Sequence, residues 1–393
     1  MGYSSGSIDD NDVVEFAQAL LKKASVTPAD EGVQGILISQ LERMGFSVTL
    51  LPFGSGEKKT LNFFARLGEH SPHICFAGHT DVVPPGGEGW VHAPFSGVVE
   101  KDILYGRGAC DMKGGIAAFV CAVEKILKTW DRRKGSISFL ITGDEEGTGE
   151  FGTKCVLEWM KAQNQIPDFC LVGEPTNPNI LGETIKIGRR GSLNARVVIK
   201  GVQGHVAYPH RADNPLHKLA SLLNFLVTHE LDKGNEWFEP SSLQVTSIDT
   251  GNDVTNLIPG EVEIRLNIRF NTEHTGQSLK TWLNESIERF IPHYSLEVAI
   301  SGEAFLTPLG VEVSELQKVI LEQTGRNARL DTGGGTSDAR FITHYCPVAE
   351  FGLVGQTMHK VNEQVQLSDL RGLETIYRLF LQKMLCGAGH ETV

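Results

Sequence analysis

The sequence predicts an α/β fold in two domains, with a mainly parallel sheet in one domain and an antiparallel sheet in the other. Short apolar runs typical of buried strands alternate with helical stretches, which is the order of a parallel sheet covered by helices. In the middle of the chain the order changes to strand, helix, strand, strand, helix, strand, a ferredoxin-like pattern. The length of 393 residues also exceeds what one hydrophobic core usually supports.

The elements of the first pattern flank the central region on both sides. Apolar residues at helical spacing predict helices over 12–23 and 31–44. Buried strands are then predicted over 74–77, 137–142 and 169–172, in alternation with helices over 114–127 and 153–162. A helix over 312–324, a strand around 348–351 and a terminal helix capped by Ser368 resume the same order near the end of the chain.

The central region predicts an inserted domain. Its strands are expected over 193–199, 243–248, 262–270 and 295–300, and its helices over 215–229 and 276–290. Residues 262–270 alternate strictly between apolar and polar side chains, which indicates a sheet with one covered face. We therefore predict a catalytic α/β domain formed by residues 1–190 and 304–393, interrupted by a second domain over residues 191–303.

Composition and charge exclude several classes of partner. Lys and Arg number 36 against 48 Asp and Glu, so the formal charge of −12 disfavours nucleic acid and anionic lipid surfaces. No apolar run approaches the roughly 18–20 residues of a transmembrane helix. Residues 1–23 carry acids where a signal peptide has basic residues, and the 7 cysteines form no CxxC pair. These features predict a cytoplasmic protein with reduced thiols.

Ligand-type residues follow the predicted strands, at the edge where open α/β sheets bind their ligands. They are His79 and Asp81 after strand 74–77, Asp111 in the glycine-rich turn 106–115, Glu145 and Glu146 after strand 137–142, Glu174 after strand 169–172, and His359 beyond strand 348–351. Each position alone is more often a helix cap, a turn acid or a hydrogen-bonded histidine than a metal ligand. Together they favour a shared site, and imidazoles with carboxylates suit zinc, cobalt or manganese.

Two of these motifs carry more specific expectations. In an extended segment His79 and Asp81 point the same way, so the Asp81 carboxylate can orient the His79 imidazole. The turn 106–115 has Asp111 where a dinucleotide-binding fingerprint has its third glycine, which argues against a nicotinamide site. We expect this turn to leave Asp111 exposed at a helix N-terminus. The consecutive acids at 144–146 would be costly in a closed site without a cation.

Several sequence blocks resemble a known family. The blocks GHTDVVPPG (78–86), YGRGACDMKGG (105–115), TGDEEG (142–147) and GEPT (173–176) are similar to those of the dinuclear zinc aminoacylase and carboxypeptidase superfamily. The blocks GRRGSL (188–193), GHVAYPHRADNP (204–215), NLIPGEVEIRLNIRF (256–270), GGTSDARF (334–341) and FGLVGQTMHKVNE (351–363) look more like one branch of it. That branch hydrolyses the succinyl amide of N-succinyl-LL-2,6-diaminopimelate, and the resemblance extends over nearly the whole chain.

The resemblance implies a role for each ligand-type residue. It implies two Zn²⁺ ions per subunit, with Co²⁺ possible at one or both sites. One ion would be held by His79 and Glu174, the other by Glu146 and His359, with Asp111 bridging them, Glu145 as general base and Asp81 as the orienting acid. The inserted domain would form a homodimer contact and close over the substrate, and His205 would reach into the partner subunit's site.

The resemblance also implies an anionic small-molecule substrate. Arg189 and Arg269 are the candidates to bind its carboxylates, since guanidinium groups bind carboxylates in bidentate fashion. On pattern alone, Arg269 could equally lie on a solvated sheet face. Further substrate contacts are implied at Ser192, Tyr208, Asn256, Gly335 and Thr336. Arg190, His210 and Arg340 receive no role, and Cys110 is interpreted as a packed neighbour of Asp111.

Other functions remain open at this point. An acetylornithine deacetylase or a related metallo-aminoacylase or carboxypeptidase would keep the same metal ligands and differ in the arginine and glycine-rich blocks. A non-enzymatic metal-binding dimeric scaffold would not need Glu145, so the presence of this acid favours an enzyme. A serine hydrolase is rejected, because the nearest string to its G-x-S-x-G elbow, residues 335–339, lacks the final glycine.

Overall fold

The structure, a computed structural model, describes residues 12–386 of the chain. The interpretation of residues 1–23 as lacking a signal peptide rests partly on residues 1–11, which lie outside this range. Between residues 12 and 386, no helix has both the length and the apolar character needed to cross a bilayer. Residues 12–386 divide into two compact units, the first formed by residues 12–187, 307–331 and 337–386 and the second by Gly188–Leu306 and Thr332–Thr336.

The helices and strands agree with the predicted order and add several short strands. The helices are α1 Val13–Leu21, α2 Val33–Arg43, α3 Lys113–Ile126, α4 Thr153–Ala162, α5 Pro215–Thr228, α6 Gly276–Phe290, α7 Val311–Thr324, α8 Ala339–Ile342 and α9 Leu367–Cys386. The strands are β1 Ser47–Leu50, β2 Phe63–Leu67, β3 His73–His79, β4 Val98–Glu100, β5 Ile103–Tyr105, β6 Ser136–Thr142, β7 Phe169–Val172, β8 Thr184–Lys186, β9 Gly188–Arg189, β10 Gly191–Lys200, β11 Gly204–His205, β12 Ser242–Asp249, β13 Leu257–Ile258, β14 Glu261–Phe270, β15 Tyr294–Gly302, β16 Phe305–Leu306, β17 Arg329–Asp331, β18 Val348–Glu350 and β19 Gln364–Gln366.

The first unit is built on an eight-stranded sheet in the order β1-β2-β6-β3-β7-β18-β8-β17. Strand β3 pairs in parallel with β6 and β7, β7 pairs in parallel with β18, and β8 with β17, whereas β1, β2 and β6 pair antiparallel. Every residue of β3 and β6 is buried, which is typical of parallel strands covered on both faces. The predicted mainly parallel α/β fold is therefore confirmed, although strands β1, β2, β8 and β17 of this sheet are not predicted from the sequence.

Three helices of the first unit differ in how their sequences relate to their structures. Helix α1 begins after Asp12, whose carboxylate accepts a hydrogen bond from the Val14 amide at 2.9 Å. Helix α3 is buried along most of its length, which makes it a core helix. The terminal helix α9 begins at Leu367, so Ser368 lies inside its first turn. The prediction that Ser368 caps this helix is therefore wrong.

The second unit carries a four-stranded antiparallel sheet in the order β12-β14-β10-β15. Alternate residues of β14 are buried, and they form one apolar cluster with the buried residues of β10, α5 and α6. Asn214 caps α5 with Pro215 as its first residue, and Thr275 with Ser278 forms a capping box at α6. The arrangement agrees with the ferredoxin-like order that the sequence predicts.

The second unit has different boundaries from the predicted domain 191–303. It begins and ends three residues further out, at Gly188 and Leu306, because β9 and β16 pair antiparallel and join the two ends of the insertion. It also includes Thr332–Thr336, which the prediction places in the catalytic domain. A hydrogen bond of 2.8 Å from Arg189 Nη1 to the Gly335 carbonyl binds this segment to the second unit.

A buried histidine at the start of β3 predicts a pH dependence of stability. His73 is 3% exposed and its Nε2 lies 2.7 Å from Ser138 Oγ. Burial and the nearby Arg66 lower the pKa of His73 to about 4. The unfolded chain, with an ordinary histidine pKa of about 6.5, therefore binds more protons as the pH falls from 6.5 towards 4, and stability is lost in that window.

We expect a His73→Gln variant to lose less stability on acidification than the unmodified protein. Between pH 7 and pH 5 the difference should be about 2 kcal/mol in the free energy of unfolding, measured by chemical denaturation at both pH values. Both proteins keep the same carboxylate cluster, so its own pH dependence cancels in the comparison. An identical loss in both proteins would contradict the expectation.

Candidate metal centre

The carboxyl ends of three neighbouring parallel strands bring the ligand-type residues together. Strand β3 ends at His79, β6 ends three residues before Glu145, and β7 ends two residues before Glu174. Asp111 lies in the turn before α3, and His359 lies in the loop between β18 and β19. The cluster thus lies at the edge of the sheet where open α/β folds place their ligand sites.

Two histidines share one carboxylate in this cluster. Asp111 Oδ1 lies 3.2 Å from His79 Nε2, and Asp111 Oδ2 lies 3.0 Å from His359 Nε2. His79 Nε2 is also 3.7 Å from Glu174 Oε1 and 4.0 Å from Glu145 Oε2. His359 Nε2 is 2.8 Å from Glu146 Oε1. Asp111 therefore lies between two sets of ligand-type atoms, one around each histidine.

Asp111 is buried, and the expectation that it is exposed was wrong. The residue is 5% exposed, and α3 begins only at Lys113. The turn places its carboxylate between both histidines, and its amide donates to Glu363 Oε1 at 3.2 Å. The same burial holds for His79, whereas the His359 side chain is 45% exposed.

The contacts of Asp81 differ from those expected. His79 Nδ1 is hydrogen-bonded to the backbone carbonyl of Asp81 at 2.9 Å, and the nearest carboxylate oxygen of Asp81 is 3.6 Å away. The carboxylate accepts hydrogen bonds from the amides of Glu145 and Glu146, at 3.3 and 3.0 Å. Asp81 thus fixes the His79 ring through its backbone and the acidic loop through its side chain.

Paired glycines allow α3 to approach the end of β7 closely. A Cβ atom on Gly115 would lie 2.6 Å from the Gly173 carbonyl oxygen, a contact that real Cβ atoms do not make. A side chain at this position would push the helix away from Glu174, the residue that follows Gly173. The glycine-rich turn thus serves close packing at the cluster.

The pKa directions of the histidines show how strongly the cluster favours positive charge. Although burial opposes its charged form, the hydrogen bond to Asp111 and the charges of Glu174 and Glu145 raise the pKa of His79 well above its ordinary value. Hydrogen bonds to Asp111 and Glu146 raise the pKa of His359 to about 10. Burial acts against ionisation of Asp111, but its hydrogen bonds with both histidines lower its pKa.

The pKa values of two glutamates are raised as well, which for a carboxyl group means that the neutral form is favoured. Burial, with the charges of Asp338, Glu146 and Asp111, raises the pKa of Glu145 to about 8. Burial and the charges of Asp111 and Glu145 raise the pKa of Glu174 well above its ordinary value. The cluster therefore holds more carboxylate charge than its own histidines balance, and a bound cation would relieve this repulsion.

The donor set fits divalent metal ions. Among the described residues, two groups bring three ligand atoms within 4.8 Å of one another: His79 with Glu145 and Glu174, and His79 with Asp111 and Glu146. The donors are imidazole nitrogens and carboxylate oxygens, while the Cys110 thiol contacts Glu363 at 3.3 Å. Such donors suit zinc, cobalt or manganese. By geometry alone, Glu145 is placed either to bind a metal or to act beside one.

Some of the predicted substrate residues lie together within the second unit. Arg189 donates to the Gly335 carbonyl at 2.8 Å, and Arg269 Nη1 lies 3.4 Å from Thr336 Oγ1. Ser192 is paired with Arg269 across β10 and β14. Burial and the adjacent Arg190 guanidinium lower the pKa of Arg269.

A second group in the same unit surrounds His205. Strands β11 and β13 pair His205 with Leu257, and the Val206 amide donates to the Asn256 carbonyl at 3.1 Å. The Tyr208 ring centroid is 5.7 Å from that of His205, and that of His210 is 6.3 Å from Tyr208. His205 is exposed, and its Nδ1 accepts the Ala207 amide at 3.1 Å.

Three buried charged residues near the cluster were not singled out from the sequence. Arg107 and Glu363 form an ion pair of 2.6 Å, and Asp338 accepts a hydrogen bond from Thr153 Oγ1 at 2.7 Å. All three occur in the quoted family blocks, but charged residues in loops are ordinarily solvated. Only the fold shows that they are buried, so no local signal could have identified them.

Known proteins share the sequence family and the fold of this chain. The model of peptidase family M20/M25/M40 matches residues 75–383, and the chain belongs to this family. A relative from Gluconacetobacter diazotrophicus named succinyl-diaminopimelate desuccinylase is 59% identical over 370 residues, which cover 94% of this chain and 96% of the relative.

Solved structures of more distant proteins share the fold. The aminopeptidase PepT from Bacillus cereus superposes with a TM-score of 0.76 at 19% identity, over 96% of this chain and 100% of PepT. A dinuclear metal-binding peptidase of the M20 family from Bacillus subtilis superposes with a TM-score of 0.70 at 14% identity, over 96% of this chain and 98% of that protein. These likenesses concern the fold alone.

Proposed function

We propose that this chain is a metal-dependent amidohydrolase that converts N-succinyl-LL-2,6-diaminopimelate to succinate and LL-2,6-diaminopimelate, in lysine and diaminopimelate biosynthesis. The observation that carries the hydrolytic chemistry is the partly buried cluster in which Glu145 lies 4.0 Å from His79. The substrate rests on the relative of 59% identity, which is named for this reaction. Within residues 12–386, no contact favours acetylornithine deacetylase or a metal-binding scaffold over this function.

The ligand sets follow from the two histidines. We assign His79 and Glu174 to one ion, Glu146 and His359 to the other, and Asp111 to both, because its two oxygens face different histidines. We propose Zn²⁺ in both positions, with Co²⁺ as an alternative. When bound, the two ions would polarise the scissile carbonyl and make a water molecule more acidic.

Glu145 moves the proton in the proposed reaction. Its carboxylate accepts a proton from the attacking water and then gives it to the departing amine, so one residue acts first as base and then as acid. Burial, and after it the surrounding carboxylate charges, raise the pKa of Glu145, and a nearby cation would lower this pKa towards the range of a base. Asp81 holds the Glu145 amide and thereby the position of this side chain.

Cationic side chains of the second unit recognise the substrate. It carries three carboxylates, and Arg189 and Arg269 supply guanidinium groups for them. Arg190 adds further positive charge near Arg269. We assign supporting contacts to Ser192, Tyr208, Asn256, Gly335 and Thr336, which lie beside these arginines or beside His205.

We assign His205 as a hydrogen-bond donor to the tetrahedral oxyanion in a partner subunit. Its Nδ1 accepts a backbone amide, so the proton of the neutral ring lies on Nε2, which can donate. In this proposal the protein is a homodimer, and the second unit is its lid and dimerisation domain. We place the reaction in the cytoplasm, where the cysteines, all of them free, stay reduced.

One assay tests the function. Purified protein, stripped with a chelator and reloaded with Zn²⁺, is expected to release succinate from N-succinyl-LL-2,6-diaminopimelate and to act at least about 100-fold more slowly on acetylornithine, whose acyl group lacks the succinyl carboxylate. The stripped protein serves as the control. No succinate release from the reloaded protein would refute the substrate, and faster turnover of acetylornithine would favour the deacetylase.

A further inference from the structure

A buried ion pair lies beneath the candidate metal centre. Arg107 is 1% exposed and Glu363 is fully buried, and Arg107 Nη1 lies 2.6 Å from Glu363 Oε2. The two residues are 256 positions apart in the chain. Two charges that are shielded from solvent in this way are stable only as a pair, so each side chain fixes the position of the other.

The second oxygen of Glu363 holds the turn that carries Asp111. Glu363 Oε1 accepts hydrogen bonds from the amides of Cys110 and Asp111, at 3.0 and 3.2 Å, and from the Cys110 thiol at 3.3 Å. Hydrogen bonds from backbone amides to a carboxylate are stronger than those to a neutral acceptor. The backbone of Asp111 is therefore tied directly to Glu363.

Arg107 reaches two other segments of the cluster. Its Nη2 lies 3.2 and 3.3 Å from the carbonyl oxygens of Pro84 and Pro85, in the segment that follows Asp81. The same nitrogen lies 3.5 Å from the carbonyl oxygen of His359. The pair thus contacts three segments that bring ligand-type residues to the cluster.

The two halves of the cluster differ in how their ligands are supported. His79 is the last residue of the buried strand β3, and Glu174 closely follows the buried strand β7. His359 lies in a loop, its side chain is 45% exposed, and its backbone has φ 61°, a left-handed conformation that costs about 1–3 kcal/mol for a residue other than glycine. Asp111 and His359 therefore depend on contacts outside the sheet.

We propose that Arg107 and Glu363 are positioning residues that hold Asp111 and His359 in place for the second metal ion, an inference that rests on the metal assignment of the proposed function. The pair contacts the backbone of both residues, whereas β3 and β7 fix His79 and Glu174 without it. Loss of the pair therefore weakens the metal position of Glu146 and His359 more than that of His79 and Glu174, because the first position loses the support of both His359 and the shared Asp111 and the second only that of Asp111. Neither Arg107 nor Glu363 is itself a ligand in this scheme.

Equilibrium dialysis of the stripped full-length chain against Co²⁺ tests this proposal. We expect the unmodified protein to bind two ions, and Glu363→Gln and Arg107→Lys each to weaken one of the two binding steps by about 10–100-fold, the usual effect of losing a group that orients a ligand. The other step should weaken less, because β3 and β7 still support His79 and Glu174 and only the shared Asp111 is affected. Arg107→Lys keeps the positive charge but not the guanidinium group. A partial loss of Co²⁺ affinity in this variant would therefore show how much the position of the hydrogen-bond donors contributes beyond the charge.

A matched control separates positioning from general destabilisation. Glu374 is buried and lies 2.8 Å from Lys125 Nζ, in an ion pair between α3 and α9. Glu374→Gln is expected to lower the melting temperature while leaving both Co²⁺ binding steps unchanged. In addition, His359→Ala should weaken the same Co²⁺ binding step as Glu363→Gln. The double variant, which carries both substitutions, should lose little more Co²⁺ affinity at this step than either single variant.

Three results would overturn the proposal. Wild-type Co²⁺ affinities in both variants would show that the pair does not position the ligands, and equal weakening of both steps would show that it acts on the whole unit. Fewer than two ions in the unmodified chain would remove the second site and with it the proposal. Two ions without succinate release would refute the proposed substrate alone.

Discussion

Replacing Glu145 by Gln is expected to lower kcat by at least about 100-fold and up to about 10,000-fold, while two metal ions remain bound per chain. Gln keeps the size of the side chain but cannot accept the proton from water. Stopped assays of succinate release measure the rate, and elemental analysis of the purified variant measures the metal content. The metal content is essential, because one group of possible ligand atoms includes Glu145.

An acid in the same loop supplies the control for this variant. Glu150 is exposed and lies 3.3 Å from Lys58 Nζ, so Glu150→Gln changes the charge of the loop without entering the cluster. It should retain the activity of the unmodified protein within about 2-fold, as surface substitutions usually do. Loss of one metal ion from Glu145→Gln would identify Glu145 as a ligand, and undiminished turnover would exclude it as the base.

Removal of the metal is expected to abolish activity, and Asp111 determines whether it can be restored. Stripped protein should regain activity as two equivalents of Zn²⁺ are added. Asp111→Asn should lose at least about 100-fold in affinity for one or both ions, because the variant has one oxygen left to serve two ligand sets. Metal binding also stabilises the folded chain, by about 4 kcal/mol at 1,000 times the dissociation constant, so the melting temperature should follow metal loading.

Glu88→Gln is a suitable control for Asp111→Asn. Glu88 is an exposed acid in the loop after Asp81, and its loss removes the same charge from the first unit. Its variant should regain activity and melting temperature with Zn²⁺ as the unmodified protein does. Full recovery of Asp111→Asn at the same Zn²⁺ concentration would exclude Asp111 as the shared ligand.

The sequence predicts those parts of the molecule that local patterns determine. Strands β3, β6 and β7 contain short apolar runs, and each strand is buried along its whole length as expected. Because parallel strands end at one edge of a sheet, locating these strands also located His79, Glu145 and Glu174. Strand β14 was evident from its alternation, which burial on one face imposes.

Contacts between distant parts of the chain account for what the sequence missed. Asp111 is buried because Glu363, 252 positions later, binds its amide. The segment Thr332–Thr336 joins the second unit through the contact of Gly335 with Arg189, 146 positions earlier. The side chain of Asp81 accepts hydrogen bonds from the loop after β6, in addition to lying 3.6 Å from the His79 ring. Contacts of this kind depend on the tertiary structure, and the spacing of residues along the sequence does not predict them.

The division of the first unit into separate segments has a consequence for the order of folding during synthesis. Its sheet needs β18, between β7 and β8, and its candidate metal centre needs His359, and both follow the insertion in the chain. The apolar core of the second unit is contiguous, from Leu193 to Ile291. On the ribosome the second unit therefore has its whole core before the first unit can complete its sheet, and the candidate metal centre is assembled last.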